Sequence, residues 1–218
     1  MPIWIKICAN TSLQDALVAA EAGADAVGFV FAPSPRRVSP EQVAAIVPHL
    51  PRELEKIGVF VGASLDEIET AVRVSGLTGV QLHSDTDSES ATLLRERIGA
   101  ELRILRVVHF SAEAAEQVAS LVGDPHVDGI LIDSRTATAV GGTGIRFDWS
   151  VARETLFDSP RTRLIAAGGL SPANVAEAIA TLDPWGVDVA SGVEASPGRK
   201  DPLKVREFIR RAREASHA

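Results

Sequence analysis

The 218-residue chain contains no tyrosine, one cysteine and one methionine, and aromatic side chains make up only 5% of it. So few flat rings exclude base-stacking platforms, and a formal net charge of -7 argues against the basic footprint that a nucleic-acid backbone demands. Nucleic acid is therefore not an expected partner. A lone cysteine rules out an internal disulfide and fits a reducing compartment. No apolar run approaches the roughly 18 residues that span a bilayer, and Met1-Pro2-Ile3-Trp4-Ile5-Lys6 has none of the three parts of a secretory leader. The expectation is a cytoplasmic protein with no membrane partner. Metal is not expected either, because the chain has neither a His-Glu-x-x-His helix nor a cysteine cluster.

What is present is a repeating pattern in a chain that is 45% hydrophobic, enough for a sizeable core. Ile3 to Cys8 alternates with period two, so Ile3, Ile5 and Ile7 share one strand face and Trp4, Lys6 and Cys8 the other. Thr11 or Ser12 then caps a helix that runs to Gly23. Ala26 to Ala32 reads as a strand buried on both faces. Ser39-Pro40-Glu41-Gln42 opens the next helix with a proline at its first position and a reciprocal Gln, and Ser64-Leu65-Asp66-Glu67 repeats the device. Further strands are predicted at Lys56 to Val61, Gly79 to His83, Leu102 to Phe110, Gly129 to Asp133, Arg163 to Ala167 and Val187 to Ala190. Helices are predicted between them, with Ser171-Pro172 opening the seventh and Asp201-Pro202 the last. Eight strand-then-helix units of this size point to a single (β/α)8 barrel spanning residues 1–218 as one domain. The alternative, an open doubly wound sheet, usually shows a Gly-x-Gly-x-x-Gly turn after its first strand, where this chain has Ala9-Asn10-Thr11-Ser12.

Barrel active sites occupy the carboxyl ends of the strands, so position is evidence of role. Cys8, Arg36 and Arg37, Gln81 and His83, Asp133 and Asp188 all stand there. Each also has a plain structural reading. A lone strand cysteine is usually a small buried hydrophobe, His83 serves equally as a hydrogen-bonded core histidine, and one of the two arginines is simply solvated. An internal Lys6–Asp188 ion pair accounts for Asp188 without chemistry. Asp133 and Asp188 are nevertheless harder to dismiss than the others, since a carboxylate ending a buried strand is costly unless paired, hydrogen-bonded or open to a cleft. Gly168-Gly169 and Ser191-Gly192 follow strands seven and eight, where barrels often cradle a phosphate with backbone N–H groups. A small phosphorylated substrate is the expected ligand. Gly141-Gly142-Thr143-Gly144, in the long loop after strand six, lacks the Lys-Ser/Thr of a nucleotide P-loop.

In this order the residues resemble the phosphoribosylanthranilate isomerase family along nearly the whole chain. The resemblance rests on Lys6-Ile7-Cys8, on Ala22 to Phe31 with Ser34-Pro35-Arg36, and on Gln81-Leu82-His83 and Ile132-Asp133. It continues through Gly141 to Gly144 with Phe147-Asp148-Trp149, Ala167-Gly168-Gly169-Leu170, and Val187-Asp188-Val189 leading to Ser191-Gly192-Val193-Glu194. It implies a cofactor-independent Amadori rearrangement of N-(5-phosphoribosyl)anthranilate in tryptophan biosynthesis, with Cys8 as general base and Asp133 as general acid. The implied substrate-binding residues are Arg36, Gln81, His83, Gly142, Gly144, Gly168, Gly169, Asp188, Ser191 and Gly192. Of these, Arg36 would hold the anthranilate carboxylate and Gly169, Ser191 and Gly192 the phosphate. The thiolate of Cys8 then has to be favoured locally, for which Lys6 or developing iminium charge is the expected agent. Three positions depart from the family pattern: Ala9 and Ser84 stand where glycine is usual, and Ile145 where a basic residue is common. A related sugar-phosphate barrel and a catalytically silent phosphate binder are the rival readings. The sequence is compatible with a monomer or a homodimer.

Overall fold

The computed structural model describes residues 2–83, 89–133, 149–157 and 163–216. Eight parallel strands close into a barrel in chain order: β1 Trp4–Ile7, β2 Ala26–Val30, β3 Glu55–Phe60, β4 Gly79–Leu82, β5 Arg103–His109, β6 Gly129–Asp133, β7 Leu164–Ala167 and β8 Gly186–Val189. The helices α1 Leu13–Glu21, α2 Pro40–Ile46, α3 Leu65–Ser75, α4 Glu89–Ile98, α5 Ala114–Leu121, α6 Trp149–Thr155, α7 Val175–Leu182 and α8 Pro202–Ala215 each follow one strand. Pairing of β1 with β8, with Lys6 opposite Asp188, joins the ends of the sheet. No helix among the described residues is long and apolar enough to cross a membrane.

Local chemistry starts these helices where the sequence signals them. Ser12 caps α1 by accepting the Asp15 N–H, and reciprocal capping boxes begin α2 (Ser39 with Gln42) and α3 (Ser64 with Glu67). Asp201 caps α8 ahead of Pro202, and its buried stripe is Val205, Phe208, Ile209 and Ala212, as the spacing predicts. The seventh helix differs from the expectation. Asn174 accepts the Ser171 N–H at 2.8 Å and donates to the Gly169 carbonyl at 3.0 Å, so Ser171 to Asn174 forms a turn and α7 begins only at Val175.

Alternation along the strands divides the apolar residues into two bodies. Ile3, Ile5, Ile7, Ile130, Ile132, Val187 and Val189 pack outward among the helices. Trp4, Ala26, Ile57, Leu105, Val107, Leu131, Ile165 and Ala167 form a separate inner cluster that fills the barrel floor. Trp4 stacks there on Trp185 at 5.3 Å between ring centroids. Gly186 makes room for it, because a β-carbon at that position would lie 2.9–3.3 Å from Trp4 atoms. With the floor packed, the polar inward residues are left at the carboxyl-terminal mouth.

Among the described residues, one small element lies outside the eight units. After β8, a 3-10 turn over Ser191–Val193 leads into an antiparallel hairpin of β9 Glu194–Ser196 and β10 Arg199–Lys200. Pro197 and Gly198, the latter at φ 79°, supply the turn. Thr11 Oγ1 donates to the Gly198 carbonyl, and Asp15 accepts the Lys200 N–H at 3.3 Å. The hairpin is thereby tied down over the first unit.

Candidate active site

Cys8 stands one residue beyond the end of β1 and Asp133 is the last residue of β6. Cys8 follows Trp4 and Lys6 on the inward face, and Asp133 follows Leu131. Both are buried, at 6% and 3% exposure, at the same end of one closed barrel.

Beneath the thiol lies an ion pair. Lys6, one of the largest fully buried side chains among the described residues, donates to Asp188 Oδ1 and to Gln81 Oε1, both at 2.8 Å. Burial acts to lower the Lys6 ammonium, but Asp188 and the thiol hold it above the ordinary lysine range. Gln81 and Asp188 thus serve Lys6. For Cys8 the balance differs from the sequence-based expectation. Burial pushes the thiol up, Asp188 adds to that, and the opposing pull of Lys6 and Lys200 does not outweigh them. Lys6 favours the thiolate, as expected, but by less than desolvation disfavours it.

The thiol is also positioned sterically. A β-carbon built on Gly28 would stand 2.7 Å from Cys8 Sγ and 3.0 Å from Lys6 Cε. Gly28→Ala is expected to displace the sulfur and lower kcat by about 10²-fold in a steady-state assay, because misplacement of a reacting group by about 1 Å costs that much. An unchanged kcat would show that the thiol has room to shift harmlessly. Ala9, where the family pattern has glycine, does adopt a left-handed backbone, at φ 62°. Asn10 clamps the segment: its N–H donates to the Gly28 carbonyl at 2.9 Å and its amide to the Ile7 carbonyl at 2.7 Å. An L-residue in that conformation costs roughly 1–2 kcal/mol, of which glycine's greater unfolded freedom returns roughly 0.4–1. Ala9→Gly is therefore expected to raise the thermal unfolding midpoint slightly, and a lowered midpoint would refute the strain.

Arg36 donates through Nε and Nη2 to Glu194, at 2.8 and 2.7 Å, across 158 residues of chain. Burial pushes the Glu194 carboxyl up, while the Arg36 fork, Lys200 and the Gly198 N–H hold it below the usual carboxylate range. His83 and His109 meet at 5.6 Å between ring centroids, and His109 pairs in register with Asp133. His109 lies beside Asp133, and Glu194 and Lys200 beside Arg36 and the end of β8; none of the three is among the site residues expected from the sequence. The inward alternation Leu105, Val107, His109 was the available signal for His109, and the motif ending in Glu194 was the signal for Glu194; Lys200 had none, because its hairpin has no strand pattern of its own. Gly168 and Gly169 have φ of 79° and 65°. Gly192 packs on the Leu170 backbone, where a β-carbon would overlap the carbonyl. Gly142, Gly144, Ser84 and Ile145 lie outside the described residues.

A cleft of about 900 Å³ between the second and third units, floored by the stacked Phe31 and Phe60, is lined by none of Cys8, Lys6, Asp133 or Asp188. Among the described residues no group of three or more His, Cys, Asp or Glu side chains is placed to hold a metal.

Residues 5–211 match the family model for N-(5'phosphoribosyl)anthranilate (PRA) isomerase. The chain belongs to this family. A relative from Citrifermentans bemidjiense named N-(5'-phosphoribosyl)anthranilate isomerase is 44% identical over 210 residues, covering 96% of each chain. The crystal structure of phosphoribosyl anthranilate isomerase from Thermotoga maritima has a TM-score of 0.85 and 38% identity, covering 97% of this chain and 99% of that one. Another isomerase structure, in complex with reduced 1-(o-carboxyphenylamino)-1-deoxyribulose 5-phosphate, has a TM-score of 0.81 and 36% identity, with the same coverage. The resemblance read from the motifs is borne out, and so is the barrel.

Proposed function

We propose that this barrel converts N-(5'-phosphoribosyl)anthranilate to 1-(2-carboxyphenylamino)-1-deoxyribulose 5-phosphate, with Asp133 as acid and Cys8 as base. One observation supports this most: a buried thiol and a buried carboxyl, from strands 1 and 6, face inward at the carboxyl-terminal mouth of one barrel. Asp133 donates its proton to the furanose oxygen. The C1–O bond breaks as the anilino nitrogen lone pair forms C1=N. Cys8 thiolate then removes the C2 proton, and those electrons move into C1=C2 and return the pair to nitrogen, giving an enolamine. Gain of a proton at C1 and its loss from the C2 hydroxyl yield the ketone. Only protons move, so the steps call for no cofactor.

Positive iminium charge develops as Asp133 acts, and it favours the neighbouring thiolate at the moment the base is required. We assign the substrate carboxylate to Arg36, whose guanidinium Glu194 holds in place at 25% side-chain exposure. The phosphate is assigned to the N–H groups of Gly169, Ser191 and Gly192, in the turns that follow β7 and β8. Gln81 and Asp188 act at one remove, by fixing Lys6.

Anthranilate fluorescence followed during turnover tests the reaction. It is expected to fall without release of CO2. Steady fluorescence in the presence of bound substrate would make the protein a silent binder, and CO2 release would make it an indole-forming barrel.

A further inference from the structure

Lys200 brings a second ammonium to the site, and none of the steps above uses it. The residue is 5% exposed. Its Nζ donates to the Ala190 carbonyl at 3.0 Å and lies 3.5 Å from Glu194 Oε1. Ala190 directly follows Val189, whose carbonyl accepts the Cys8 N–H at 2.8 Å. The ammonium is therefore anchored over the end of β8, beside the backbone that carries the thiol. Holding the hairpin in place does not require it, since Thr11 ties the Gly198 carbonyl and Lys204 Nζ the Glu194 carbonyl. The charged groups around the sulfur divide into two sets. Lys6 is committed to Asp188 and Gln81 below, while Glu194 is shared between Arg36 and Lys200 above.

We propose that Lys200 is a positioning residue for the base: its ammonium, held on Ala190 and Glu194, offsets part of the burial that disfavours a thiolate at Cys8, and Glu194 limits how much of that charge the sulfur feels. This rests on the reading of Cys8 as the base. The coupling is mutual, since Lys200 draws the thiol down while Glu194 and the thiol oppose the burial that lowers the ammonium.

The composition makes the test direct. With one cysteine and no tyrosine, the ultraviolet thiolate absorbance of the whole ligand-free protein reports Cys8 alone. In Lys200→Met the titration midpoint is expected to rise and the thiolate fraction at neutral pH to fall about three- to tenfold, since a tenfold change corresponds to one pH unit. The value of kcat should fall in the same proportion at neutral pH and recover at higher pH, with KM unchanged, and Lys200→Arg should restore the midpoint. A Lys200→Met midpoint equal to that of the parent overturns the proposal. A shifted midpoint with an unshifted kcat profile would leave the electrostatic link standing and remove Cys8 as the base. Should Lys200→Met fail to fold, Lys200→Gln removes the charge while keeping an N–H donor for the Ala190 carbonyl. There too the midpoint is expected to rise, and one equal to that of the parent overturns the proposal.

Discussion

Cys8→Ala is expected to lower kcat by roughly two to four orders of magnitude, the usual contribution of a positioned general base, with the fold retained and KM little changed. The side chain is small and sits on Gly28, so its truncation leaves the Lys6, Asp188 and Gln81 network beneath it in place. The pH profile should carry the mark of the same group. Burial raises the Cys8 thiol, so in the parent protein kcat/KM should climb with pH on the alkaline side, through values above the ordinary thiol range, as the thiolate forms. That limb should vanish in Cys8→Ala. A variant that keeps both its rate and its alkaline limb would show that another group removes the C2 proton.

Asp133→Asn is the second large effect. Asparagine preserves the size of a side chain that is 3% exposed at the end of β6, but it has no acidic proton to give the ring oxygen. A loss of roughly two to four orders of magnitude in kcat is expected, with the unfolding midpoint close to that of the parent. Combined with Cys8→Ala it should cost little more than either change alone, because an acid and a base acting on one substrate work as a unit. Full activity in Asp133→Asn would end the acid assignment.

Most of what is local or periodic in this fold is legible in the chain. The capping boxes at Ser39 and Ser64 span three residues, so their geometry is settled before any tertiary contact forms. Period-two alternation placed Cys8, Gln81, Asp133 and Asp188 on inward faces, because a side chain in a strand has only two directions to take. Even the Lys6–Asp188 pair was legible, since closure of an eight-unit barrel makes β1 and β8 neighbours. The Arg36–Glu194 fork was not, since it depends on a hairpin of five residues in strand that exists only where Thr11 and Asp15 hold it down. Ser171-Pro172 misled by a few residues: the chain turns over Ser171 to Asn174, with Asn174 accepting the Ser171 N–H, and regular helix begins at Val175.

By itself the sequence determined the eight-unit plan and the end of the barrel that carries chemistry, because hydrophobic period and local hydrogen bonding decide which face each side chain takes; the roles proposed for Cys8 and Asp133 come from the family resemblance, not from that periodicity. Only the tertiary structure decided the charge environment of that thiol. Lys6 is spent on Asp188, Lys200 arrives on a returning hairpin, and Glu194 divides itself between two cations. Such a balance depends on desolvation and on distances of a few ångströms between residues far apart in the chain, and no local pattern encodes either.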